Sequence, residues 1–217
     1  MLNTNKPNFL KLKNLYTYQH IDDSCEYIRK SFSKKGEPFS VFDMLSSLDT
    51  MVILYDDKSG HNTRYISFSG DEEKNYLVLS ADRTVEELRF DAACMLGRII
   101  KKIANTKGNS CPNYTTLSKN FSREEKHFAL ALLMPTHDLL KYLTSKDETG
   151  KYIFINENKE IEFKKINIIA DHYGVPFDQC LSRVFHVLEE HRGSSKKYDI
   201  YIEGCRTEHY RIYFHTM

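Results

Sequence analysis

Residues 93–100 read Ala93-Cys94-Met95-Leu96-Gly97-Arg98-Ile99-Ile100 and lie in the middle of an amphipathic segment. At about 100° per residue, the apolar side chains of residues 84–104 fall on one stripe of a helix. The members of this stripe are Val85, Leu88, Ala92, Leu96, Ile99, Ile100 and Ile103. The pattern predicts a helix that packs this stripe against a core.

The opposite face of the predicted helix carries Cys94 and Arg98. We therefore expect these two side chains to point away from the main core, while Met95 lies at the edge of the apolar stripe. Two interpretations stay open at this point. The face borders a cleft, or it is an ordinary polar helix face that contains one cysteine. The same face also carries Glu87, Asp91 and Lys101.

A second helical segment is predicted at residues 122–135. Ser122 followed three residues later by Glu125 forms a capping box, in which each side chain satisfies a backbone amide of the first helical turn. Pro135 then perturbs or ends the helix, because proline lacks an amide hydrogen and fixes the backbone. The capping box is also a purely structural reason for Ser122 and Glu125 to be present.

Together the two segments resemble the ImmA/IrrE family of metallopeptidases. Members of this family carry a pattern close to R-F-x-x-A-H-E-x-G-H, followed by E-x-E-A-N-x-F-A-x-x-L-L-M-P. The resemblance covers roughly residues 20–190, and the spacing between the two matches supports it. The first segment matches at Arg89, Phe90, Ala93, Leu96 and Gly97, and the second at Phe128, Ala129, Leu132, Leu133, Met134 and Pro135.

The chain departs from the family pattern at the residues that carry the chemistry. In an HExxH peptidase two histidines one turn apart bind zinc, and the glutamate after the first histidine acts as the base. Those three positions hold Cys94, Met95 and Arg98. Of the two acidic positions in the second part only Glu124 is kept, because the other holds Ser122.

These substitutions predict a degenerate site. A guanidinium is always charged and is no metal ligand, and Met95 supplies no base to deprotonate a water. If the helices pack as in the family, Arg98 would approach Glu124 and form a salt bridge where the ion would have been held. We therefore expect a site without metal or other cofactor that does not hydrolyse peptides.

The predicted fold class is α+β. Strand candidates at residues 51–55, 64–68 and 76–79 are separated by turn-rich pieces of hairpin length, which predicts a small antiparallel sheet ahead of the residue 84 helix. This arrangement fits the zincin-like core that the resemblance implies. Helices are predicted at about residues 21–30 and 41–48.

The C-terminal part is predicted to be helical and then β-rich. A domain of residues 1–192 would contain a helix to residue 148, a short hairpin of residues 152–155 and 161–163, and helix-turn-helix-like helices at residues 164–190 with Gly174 at the bend. A polar break then starts an extension of residues 193–217, in which residues 198–203 and 209–214 read as two strands. This hairpin would extend the sheet or form an interaction edge.

Composition places the chain among soluble cytoplasmic proteins. Thirty-one basic and 30 acidic residues leave a net charge of +1, so charge offers no argument for direct nucleic-acid binding. No apolar run is long enough to cross a bilayer, and residues 1–13 lack the apolar core of a signal peptide. The five cysteines are unevenly spaced without a CxxC pair, which indicates free thiols in a reducing compartment.

The resulting hypothesis is an inactive peptidase relative, a pseudo-protease, that binds another protein. Members of the family cleave helix-turn-helix repressors of phages and mobile elements, or stress-response regulators. A repressor of this kind is the expected partner, and antirepression is the expected effect. Arg98 and Glu124 would shape the cleft, and His127 would be a further binding residue. Cys94 and Met95 would form the floor of the cleft. An edge strand of the sheet would receive an extended peptide.

Three alternatives stay open. The chain could be an active metallo-endopeptidase with substitute ligands such as Cys94, Glu124 and His127. Cys94 and His127 could form a catalytic pair, although Cys94 lies far from the helix N-terminus that would lower its pKa. Finally, residues 164–190 could bind DNA, with Asp178–Arg183 opening a recognition helix.

Overall fold

The computed structural model describes residues 20–33, 39–56, 63–68, 74–105, 115–118, 121–155, 160–161, 163–194, 199–204 and 210–215. It confirms the α+β class. The helices are α1 (Ile21–Phe32), α2 (Val41–Ser47), α3 (Val85–Asn105), α4 (Arg123–Leu133), α5 (Thr136–Leu143), α6 (Phe163–Tyr173) and α7 (Phe177–Ser194). The strands are β1 (Thr50–Tyr55), β2 (Thr63–Phe68), β3 (Lys74–Ser80), β4 (Thr115–Ser118), β5 (Glu160–Ile161), β6 (Asp199–Gly204) and β7 (Tyr210–His215).

The chain divides into two compact units, Met1–Leu133 and Met134–Met217. This division does not coincide with the boundary that the sequence suggested at residue 193. In the structure, β6 and β7 belong to the same compact unit as α5, α6 and α7.

The first unit contains a mixed sheet with the strand order β1-β3-β2-β4. The prediction of an antiparallel sheet is wrong, because β1 and β3 run parallel, with Val52 opposite Leu77 and Leu54 opposite Leu79. β2 is antiparallel to both β3 and β4. Hairpin-length connections suggested that each strand turns back on the previous one. Instead β3 lies between β1 and β2, which leaves β1 at one edge of the sheet.

α3 follows β3 and forms the centre of the first unit. α4 packs against both α3 and α1, and α2 packs on another part of α3. As a result α3 is buried around its whole circumference from Phe90 to Gly97. The prediction that Cys94 points away from the core is therefore wrong: Cys94 is 0% exposed, because α4 covers the face that the periodicity assigned to solvent.

The second unit combines three helices with a three-stranded sheet of order β5-β7-β6. The predicted C-terminal strands are found within a residue of their predicted bounds, and they pair antiparallel in this separate sheet. The helix predicted to residue 148 ends earlier, at Leu143, and Lys146 then forms an antiparallel bridge with Tyr152. Ile155 bridges Ile161 as the predicted hairpin requires, but Phe163 already begins α6.

Within the described part of the chain, none of the helices combines the length and the apolar character that a bilayer span needs.

Candidate functional site

The N-terminus of α4 is built by the predicted capping box. The amide of Glu125 donates to Oγ of Ser122 at 3.2 Å, and the amide of Ser122 donates to Oε2 of Glu125 at 2.7 Å. The box is thus confirmed. It holds the Glu125 carboxylate against the start of its own helix, on the side that faces α3.

Arg98 of α3 binds this same carboxylate through two parallel hydrogen bonds. Its Nε lies 2.5 Å from Oε1 of Glu125 and its Nη2 lies 2.8 Å from Oε2. Such a bidentate pair fixes both side chains, because the planar guanidinium matches the carboxylate. The Arg98 guanidinium carbon also lies 5.6 Å from the centre of the Phe121 ring. One carboxylate therefore caps α4 and joins it to α3.

The predicted partner of Arg98 was Glu124, and this prediction is wrong. Glu124 pairs instead with Lys101, one turn further along α3. Arg98 and Lys101 are three residues apart and so share a face, while Glu124 and Glu125 point in directions about 100° apart around α4. Once the capping box orients Glu125 toward Arg98, Glu124 lies within reach of Lys101.

The two ion pairs differ in their exposure to water. The Arg98 and Glu125 side chains are 21% and 10% exposed, whereas those of Lys101 and Glu124 are 44% and 21% exposed. Burial acts to raise the pKa of Glu125, but the hydrogen bonds from Arg98 and Ser122 outweigh it, so this pKa lies below its ordinary value. Glu125 is therefore ionised at neutral pH, where it pairs with Arg98.

Cys94 and Met95, expected to form the floor of a cleft, are fully buried. Burial raises the pKa of the Cys94 thiol well above its ordinary value, and the charges of Asp91 and Glu125 add to the effect. A protonated thiol is a poor nucleophile and a poor metal ligand. Cys94 therefore acts as a small packing residue of the core.

The residues of the alternative sites are not assembled around one point. His127 places Nε2 3.1 Å from Oδ2 of Asp22 on α1, while Glu124 pairs with Lys101. Among the residues that the structure describes, no three His, Cys, Asp or Glu side chains converge as they would to hold a metal ion. At the two positions that the resemblance aligns with metal ligands, Cys94 is a buried neutral thiol and Arg98 a guanidinium, and neither suits zinc.

The contact between Gly97 and Phe128 gives a physical reason for these two residues of the matched segments to occur together. A Cβ placed on Gly97 would lie 2.6 Å from Cδ1 of Phe128, closer than atoms can approach without a shift. Glycine at this position lets the Phe128 ring lie directly on the α3 backbone. The close contact sets the separation of α3 and α4, and with it the reach of Arg98 to Glu125.

Arg183, the basic residue of the proposed recognition helix, is only 1% exposed. Its Nε donates to the carbonyl oxygen of Met134 at 3.2 Å, and its Nη2 donates to Oγ1 of Thr136 at 3.0 Å. These bonds hold the start of α5. Arg183 therefore has a packing role within the second unit and does not present its charge to a DNA groove.

Three contacts of α3 and α4 were not predicted from the sequence: Lys101 and Glu125 as ion-pair partners, and Asp22 of α1 as the neighbour of His127. A signal for the first two was present. Two basic residues three apart on one helix and two consecutive glutamates on the next can form two parallel bridges. Nothing local pointed to Asp22, which is 105 positions from His127.

A second surface of interest is the β1 edge of the first sheet, where among the described strands only β3 pairs with β1. β1 holds only uncharged residues, and four of its six side chains are exposed and apolar. Met51 and Leu54 are both 59% exposed. Leu54 is notable because its neighbour Leu79 in β3 is buried on the same face of the sheet. The remaining exposed members are Ile53 and Tyr55.

In comparisons with known proteins, no family model and no curated protein matches the chain.

Proposed function

We propose that this protein is a non-proteolytic relative of the ImmA/IrrE peptidases, with a zincin-like core, that acts in the cytoplasm by binding a partner protein. The expected partner is a helix-turn-helix repressor of a phage or mobile element. Binding would hold the repressor away from its operator, so the protein would act as an antirepressor. The proposal is supported by the two matched segments, which form the adjoining helices α3 and α4.

The observation that carries the proposal is the bidentate pair between Arg98 and Glu125. A peptidase of this type needs two neutral imidazoles and a base at the positions of Cys94, Arg98 and Met95. The chain instead has a cation neutralised by a capping glutamate, with the base position buried in the core. A guanidinium is no metal ligand, so hydrolysis through a metal-bound water is not expected.

A binding function also needs an open surface, and β1 offers one. An extended peptide that adds to a sheet edge gains main-chain hydrogen bonds, and alternate side chains then give selectivity. Among the described residues no strand other than β3 pairs with β1. Because the protein would not turn over its partner, it would have to act in stoichiometric amounts.

The experiment combines capture, integrity and metal content. The purified protein is mixed with repressors encoded on the same phage or mobile element, in a mobility-shift assay with their operator DNA. We expect one repressor to leave its operator as the protein approaches an equimolar amount, to stay full length, and to behave identically with a chelator. The protein should contain no stoichiometric zinc or manganese.

Two results would overturn the proposal. One is proteolysis of the repressor that a chelator abolishes, since this would show an active enzyme with substitute ligands. The other is specific binding of the protein itself to operator DNA without any repressor. An Arg98→Lys variant serves as a matched control in the repressor assay. It keeps the positive charge at position 98 but loses the two parallel hydrogen bonds to the Glu125 carboxylate.

A further inference from the structure

We propose that the outer edge of β1 binds an extended apolar segment that carries basic residues at both ends, and that this segment pairs with β1 as an added strand. The inference rests on the proposed function and names the chemistry of the partner's binding segment.

The two edges of the first sheet are protected to different degrees. Natural edge strands are commonly kept short, or carry charged residues and proline, so that other chains do not pair with them. β4 at one edge is a four-residue strand. β1 at the other edge has six residues and no charge or proline, and its apolar side chains are exposed. β1 therefore has the features of a strand that receives another strand.

Acidic residues lie at both ends of β1. Asp49 precedes the strand and Asp56 follows it, and both are exposed. Asp82 is also exposed and lies beside the C-terminal end, because the amide of Ala81 donates to the Tyr55 carbonyl at 2.9 Å. Carboxylates at the ends of an uncharged strand favour a guest strand whose ends carry lysine or arginine.

The same charges disfavour a second copy of this chain as the occupant. Two copies that pair β1 with β1 around a twofold axis run antiparallel. In the register that pairs the whole strand, Asp49 of each copy lies opposite Asp56 of the other. Like charges directly opposite each other in a sheet are destabilising, and both ends of the paired strands would carry such a clash.

The test uses the full-length chain and a fluorescein-labelled synthetic peptide. The peptide has about six alternating valine, threonine and isoleucine residues, the length of an ordinary strand, with two lysines at each end. Three matched peptides serve as controls. One replaces the lysines with glutamates, and the other two carry N-methyl groups on the alternate amides of one strand edge or of the opposite edge. Binding is measured by fluorescence anisotropy at low and high salt.

We expect saturable binding of the lysine-flanked peptide. Replacing its lysines with glutamates should weaken binding about tenfold, since several exposed charge pairs change sign. High salt should reduce that difference. N-methyl groups should abolish binding when they lie on one edge of the peptide and not when they lie on the other. The reason is that a pairing strand uses the amides of a single edge. A Leu54→Lys variant of the protein should also weaken binding about tenfold or more.

Several outcomes would overturn the assignment. Equal binding of the lysine-flanked and glutamate-flanked peptides would show that the acidic residues beside β1 do not select basic ends. Equal binding of all methylated forms would show that the peptide does not pair with β1 as a strand. A dimer in light scattering that dissociates in the Leu54→Lys variant would assign the edge to a second copy. If Leu54→Lys still captures an intact repressor as well as the unmodified protein does, the β1 assignment fails while the proposed function stands. If the repressor is cleaved, the proposed function fails whatever the peptides do.

Discussion

The α3–α4 contact and the β1 edge are both candidate functional surfaces, yet they are built in opposite ways. The first is charged, and each charge is held by a partner across the two helices. The second is uncharged and exposed, and among the described strands only β3 pairs with it. The comparison shows that the charged residues on two packed helices can be committed to structure, while an apolar strand without a motif stays exposed.

Among the changes to the α3–α4 contact, replacing Arg98 should have the largest effect on stability. Arg98→Met leaves the Glu125 carboxylate nearly buried without its main counter-ion, and breaking such a pair costs about 3 kcal/mol. We expect the free energy of unfolding, measured by urea titration, to fall by about this amount. The repressor-binding and peptide-binding activities should persist under conditions where the variant remains folded.

The neighbouring ion pair provides the control for Arg98. Lys101→Met removes a charge from the more exposed pair, where screening by water limits the loss to about 0.5 kcal/mol. Similar losses for Arg98→Met and Lys101→Met would show that burial does not distinguish the two pairs. That result would contradict the structural role assigned to Arg98.

Gly97→Ala should lower the free energy of unfolding by less than Arg98→Met does, about 2 kcal/mol. The added methyl would push against the Phe128 ring and force the helices apart, while alanine recovers part of the loss through its higher helix propensity. Unfolding measurements on Gly97→Ala and Phe128→Leu, singly and combined, form a double-mutant cycle. The combined variant should be more stable than the sum of the single losses implies, since leucine removes the ring that the methyl meets.

The pH dependence of the α3–α4 contact should be smaller still and confined to acid. Because the pKa of Glu125 is lowered in the folded state, its contribution is fully present above the unfolded pKa, which is near 4.3 for a glutamate. It is lost as the pH falls through the lower folded pKa. The difference in unfolding free energy between the natural protein and Glu125→Gln should therefore be constant from pH 7 to about 5 and shrink below that. A difference that grows on acidification would have the wrong sign.

These features differ in how far the sequence predicted them. The Ser122–Glu125 capping box was predictable because it depends on residues three apart in one helix. The partner of Arg98 was not, since it depends on how α4 is rotated against α3. Cys94 was placed on the solvent side because periodicity identifies one buried face and cannot show that a second helix covers the other. The parallel pairing of β1 with β3 is likewise set by tertiary packing and not by the length of a turn.

The smallest effect on stability is expected for a substitution in β1. Measuring this effect distinguishes the β1 edge most directly from the α3–α4 contact. Leu54 is mostly exposed, so Leu54→Lys should change the free energy of unfolding by no more than about 0.5 kcal/mol. Its neighbour Leu79 in β3 is 1% exposed, and Leu79→Lys should unfold the protein or cost about 4 kcal/mol, because it buries an unpaired charge. A large loss for Leu54→Lys would mean that β1 is already covered in the folded chain. A small loss of unfolding free energy together with impaired peptide binding would mean that the apolar edge binds a partner. The exposed side chains of β1 would then contribute little to the stability of the protein itself.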